Sequence, residues 1–203
     1  MTAAVEEPRS LELCWIPLGA GGSGFVRMNG RIYEWAKARR EKRTPRILLH
    51  TALIVRGRGS RIVIETMWPS PDRDTGSRGV VLEGSVGRHG LARWRLLRYE
   101  VRVWPDGVLP DEKEAVGGPQ VLSEDPEVID RLLEATRHIP MLVWGRDQIG
   151  AGDMWNSNSV ISWLLARAGL DMDGIEPPDG GRAPGWAAGL AAAGRPSVLT
   201  VPD

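Results

Sequence analysis

Apolar residues in this chain come in blocks, and the spacing inside each block predicts an element. Residues 11–18 predict a first strand that ends at Pro17. Residues 25–40 read as a helix. Residues 47–55 are again apolar on both alternating sets, so they predict a central strand, interrupted by His50. A Gly-containing turn over 56–60 leads into residues 61–65, and the pair reads as a hairpin. Glu65 ends that apolar run, so it is expected to be partly buried and to have a partner. Residues 67–79 are a loop rich in Pro, Asp and Arg. Residues 80–83 predict a short strand, and residues 91–104 a long one, bulged near Tyr99 and Glu100. Ser123, Glu124, Asp125 and Pro126 form a helix start, with a capping side chain and Pro in the first turn. Ile129, Leu132, Leu133 and Thr136 follow at helical spacing, and Pro140 stops the helix.

The most informative block is residues 153–170. Val160, Ile161, Trp163, Leu164, Leu165 and Ala168 cover most of a helix circumference, so this helix lies inside the molecule, and Gly169 ends it. Ser157, Asn158 and Ser159 stand at its start. One role for them is to cap the free N–H groups there. The other gives Ser157 a nucleophile's place at the positive end of the helix. Beyond Gly169 the chain is rich in Pro and Gly, Trp186 is expected to anchor that segment, and residues 187–193 predict a short last helix. The sum is an α+β fold, an antiparallel sheet of four to five strands packed against helices. Residues 11–203 read as one domain after a flexible stretch over 1–10, with 171–203 as a C-terminal extension.

Composition narrows the function classes. Twenty-six Lys and Arg balance 26 Asp and Glu, so no global charge draws the chain to nucleic acid or anionic lipid. The single cysteine, Cys14, excludes an internal disulfide and a Cys-based metal site, and its apolar neighbours predict a buried, inert thiol. No signal peptide and no apolar run of membrane-spanning length is present, so the expected location is cytoplasmic. Nine tryptophans stand against one phenylalanine. Tryptophan suits a pocket wall or a partner surface as well as a core, so a protein partner through a Trp-rich surface is a further expectation.

Three candidate chemistries remain. The string from Gly19 to Gly24 satisfies G-x-G-x-x-G after a strand, and Arg56 could meet a 2′-phosphate, but no βαβ alternation follows, and an exposed glycine loop is the preferred reading. The basic run over residues 39–46 reads as a solvated helix end. His50, Glu65 and Ser157 together have the chemistry of base, orienting acid and nucleophile, provided the helix start faces the strand.

Here the chain resembles the circularly permuted papain-like superfamily, which includes lecithin:retinol acyltransferase-like and NlpC-like proteins. His50-Thr51-Ala52-Leu53-Ile54-Val55 is similar to the family's His strand. Ile62-Val63-Ile64-Glu65 and Gly79-Val80-Val81 are similar to the strands after it, and Asn156-Ser157-Asn158-Ser159-Val160-Ile161 to its Asn-Cys-x-x-Phe-Val helix start. Ser157 stands where the family has its nucleophilic Cys. The resemblance implies acyl chemistry on an amide, ester or thioester, a serine-type hydrolase or acyltransferase. Ser157 would attack, His50 would take its proton and Glu65 would hold the imidazole, with no cofactor and no metal. Trp155, Asn156, Asn158 and Trp68 would line the pocket for a small-molecule, lipid or peptide substrate. The alternative is a degenerate site that binds a peptide, an acyl group or a protein without turnover.

Overall fold

A computed structural model describes residues 9–20, 34, 38–40, 42, 44–57, 59–69 and 79–194. Among these, six strands form one sheet: β1 (Ser10–Pro17), β2 (Leu49–Gly57), β3 (Ser60–Met67), β4 (Val80–Ser85), β5 (Arg98–Pro105) and β6 (Gln120–Ser123). Their order across the sheet is β4-β5-β3-β2-β1-β6, and every neighbouring pair is antiparallel. Three helices follow: α1 (Pro126–Ala135), α2 (Ser157–Arg167) and α3 (Trp186–Ala193). The α+β class with an antiparallel sheet is therefore observed, with six strands rather than four to five. Most of the glycine string, most of the helix expected over 25–40 and residues 70–78 lie outside the described residues.

The central strands are apolar throughout because each face is buried against something different. One face presents Leu11, Leu13 and Trp15 from β1, Leu49, Leu53 and Val55 from β2, Ile64 from β3, and Tyr99 and Val101 from β5. These join the buried side chains of all three helices in the main core. The other face presents Cys14, Ile16, Ala52, Ile54 and Val63, covered in part by Leu109. Cys14 is fully buried, and burial pushes its thiol up to about 12, so it is inert as expected.

One expectation changes. Residues 91–97 are not strand; they form two 3-10 turns, Leu91–Arg93 and Arg95–Leu97, and β5 begins only at Arg98. The segment after Gly169 is tied to the sheet and the core. Arg182 donates to Ile47 O and accepts from Leu49 N, both at 2.8 Å, and Ala188 and Ala192 enter the core. Trp186 packs on Trp15 with ring centroids 5.0 Å apart. Helices α2 and α3 meet at Gly189, where a Cβ would overlap Ser162 Oγ and the Ser159 carbonyl. Gly189→Ala is therefore expected to cost about 2 kcal/mol or more in urea unfolding; an unchanged midpoint would mean that the helices do not approach so closely.

Candidate functional site

The helix start is built first as a knot. Asn156 is the N-cap of α2: its Oδ1 accepts from Asn158 N at 2.9 Å and Ser159 N at 3.4 Å, and Ser159 Oγ accepts from Asn156 N at 3.0 Å. The remaining polar atoms reach outward. Asn156 Nδ2 and Asn158 Nδ2 each donate to Pro184 O at 2.8 Å. Ser159 Oγ donates to Gly185 O at 2.7 Å, Ser162 Oγ to Trp186 O at 2.8 Å, and Asp153 Oδ2 accepts from Gly185 N at 2.7 Å. Asn158 also donates to Leu49 O at 2.9 Å and accepts from the Thr51 hydroxyl at 3.0 Å. The two carboxamides expected to bind substrate, Asn156 and Asn158, are thus taken up in joining α2 to β2 and to the Pro184–Trp186 turn. Trp155 is 1 % exposed and belongs to the main core, so it is no open pocket wall. Trp68 is half exposed and leans on Trp144 with centroids 6.3 Å apart.

The strand geometry decides where the remaining three side chains point. Successive residues of a strand face opposite sides. Thr51 faces α2, because its hydroxyl meets Asn158. His50 therefore faces the other side, opposite Ile16 of the second cluster. Glu65 follows Ile64, which packs in the main core, and pairs with Arg102 across β5, so it too lies on the second face. Ser157 opens α2 on the first face. His50 and Glu65 thus share one side of the sheet, whereas α2, which Ser157 opens, packs on the other.

His50 keeps partial exposure, but protein surrounds its ring, and the lost hydration pushes it down to about 4. Burial pushes Glu65 up to about 7, against the pull of Arg102 and with a further push from Asp111. Glu65 Oε1 is buried without a hydrogen-bond partner. Arg102 is itself held by Glu100 through two bonds to one carboxylate oxygen, at 2.5 and 3.1 Å. The expectation that Glu65 is partly buried stands, while its expected partner is absent for Oε1.

The β2–β3 ladder runs from Gly57 and Ser60 only to Leu53 and Ile64, although β3 stays paired with β5 as far as Met67. Beyond the end of the ladder, Thr51 and Thr66 lie on the α2 face and His50 and Glu65 on the other. Thr66 Oγ1 is buried without a partner. The Ser157 side chain, from the helix start bonded to the same end of β2, makes no hydrogen bond among the described residues. Thr51, Thr66, Glu100 and Arg102 carry the local polar character and were not singled out from sequence. The usable signal for Thr51 was its place next to His50, since one of two adjacent strand residues must face the helix. Among the described residues, no group of three or more His, Cys, Asp or Glu could hold a metal ion, and no helix is long and apolar enough to cross a membrane.

No family model, no curated protein and no solved structure matches the chain.

Two predictions follow from the geometry. Asn158→Ala strands the Thr51 hydroxyl, removes the Asn158 bond to Leu49 O and takes one of two donors from Pro184 O, and is expected to cost about 2 kcal/mol, whereas Ser157→Ala is expected to stay within about 0.5 kcal/mol of wild type in the same unfolding titration. Glu65 and His50 give opposite pH signatures. The pKa of Glu65 is raised from 4.5 to about 7, so its contribution is fully present below 4.5 and is lost as pH rises through about 7, by about 3 kcal/mol at most. The pKa of His50 is lowered from 6.5 to about 4, so its contribution is present above 6.5 and is lost as pH falls toward 4. Glu65→Gln is therefore expected to gain stability over wild type above pH 7 and none below 4.5; a gain of equal size at both ends would contradict the buried carboxyl.

Proposed function

We propose that this chain is a binding domain built on the permuted papain-like plan, without the catalytic line of that plan. It would take an uncharged hydrogen-bonding group, such as the amide or ester of a peptide or acyl compound, where the β2–β3 ladder ends. What carries this reading is the placement of His50 and Ser157 on opposite faces of β2. A serine hydroxyl needs a base within about 3 Å to become a nucleophile, and the side chains beside Ser157 in the motif are spent on structure. Among the described residues, Thr66 Oγ1 and Glu65 Oε1 are buried without a hydrogen-bond partner, and His50 and Ser157 are further hydrogen-bonding groups. Near neutral pH the imidazole is uncharged and the carboxyl is partly protonated, so a neutral polar ligand is favoured over a strong ion.

The rival reading is a serine-type hydrolase or acyltransferase. It is supported by the uncommitted Ser157 side chain at a helix start. A fluorophosphonate probe separates the two, because it reacts with activated serines and not with ordinary ones. The binding reading predicts no covalent labelling of wild type and no turnover of p-nitrophenyl esters. Stoichiometric labelling that disappears in both Ser157→Ala and His50→Gln would overturn it and restore the enzyme.

A further inference from the structure

Glu65 lies on the second face of the sheet, just past the end of the β2–β3 ladder and opposite Arg102 of β5. It is 9 % exposed, its Oε1 is buried without a partner, and among the described residues no hydrogen bond reaches its other oxygen. A carboxylate in such a place needs a counter-ion. The positive charges of this face are committed elsewhere. On β5, Arg102 gives Nε and Nη2 to Glu100 Oε2. On β4, Glu83 is matched by Arg98. Glu12 of β1 and Glu112 beyond β5 are matched by Arg56 and Arg61. On β2, His50 is uncharged near neutral pH. Asp111 adds a like charge, which favours the neutral carboxyl further.

A neutral carboxyl offers an O–H donor and a C=O acceptor side by side. A primary carboxamide offers the matching acceptor and donor side by side, so the two close a ring of two hydrogen bonds. An ester or a fully substituted amide answers only the donor. We propose that Glu65 selects a primary carboxamide in the binding site, donating its O–H to the ligand carbonyl and accepting from the ligand N–H. This rests on the binding reading given above, narrows its ligand, and makes binding depend on one proton. Ionised Glu65 has acceptors only and repels the carbonyl oxygen. The protonated form is the one that binds, so affinity is full below the Glu65 pKa and is lost as pH rises through about 7.

The test is titration of the full chain with propanamide, N,N-dimethylpropanamide and methyl propanoate, followed by the backbone amide NMR shifts of Glu65 and Thr66. Wild type is expected to bind propanamide about thirtyfold more weakly at about pH 8.5 than at about pH 5.5. The two probes without an N–H are expected to bind about fivefold more weakly than propanamide at the lower pH. Glu65→Gln keeps a donor beside an acceptor and has no proton to lose. It is expected to bind propanamide equally at both pH values, a rescue that a merely structural carboxyl does not produce. Glu65→Met offers neither group and is expected to weaken binding at least about tenfold, with a melting curve to show that it folds. Wild type that binds all three probes alike at both pH values would keep the binding reading and overturn this proposal alone. Wild type that binds none of them at either pH would overturn both.

Discussion

The carboxamide of Asn158 ties together parts of the chain that are far apart in sequence. It holds a β2 hydroxyl, a β2 carbonyl and the carbonyl of Pro184 at once. With the Asn156 and Ser159 cap beside it, it fixes the start of α2 against the sheet and the Pro184–Trp186 turn against α2. Gly185, at φ +90°, has no room for a Cβ there, because the Asn156 amide occupies the space. The apolar body of α2 can be buried nearly all round only because its exposed backbone ends are satisfied inside the protein by this knot.

The same contact sets the orientation of β2, and the orientation of β2 separates the candidate catalytic groups. Once Thr51 faces the helix, His50 is turned to the second face. There Glu65 stands beside the Glu100–Arg102 ion pair, which is almost fully buried. Leaving a carboxyl in that setting without a partner for Oε1 costs stability and is retained only where the β2–β3 ladder ends.

Much of the fold was legible because it rests on burial. β1, β2 and β3 announce themselves by apolar residues on both alternating sets, and α2 by apolar residues around its whole circumference. β6 was missed because its four residues sit at the sheet edge, with Gln120 and Val121 exposed, and carry no alternation. Residues 91–97 were read as the start of a long strand, whereas two 3-10 turns there present Trp94, Leu96 and Leu97 to solvent. The orientation of β2 was not legible for the reason that made the strand legible: with both faces apolar, the pattern does not say which set meets the helix. The small polar residues at the α2 start have the same composition whether they cap and pin or bind a substrate, and only their partners distinguish the two.

The most direct measurement of this orientation is a double-mutant cycle between Thr51→Val and Asn158→Ala, read by urea unfolding. Contact between the two side chains predicts that the double variant loses about 1 kcal/mol or more less than the sum of the single losses. Losses that add to within about 0.5 kcal/mol would mean that Thr51 does not meet Asn158. His50 would then be free to face Ser157, and the catalytic line would have to be reinstated.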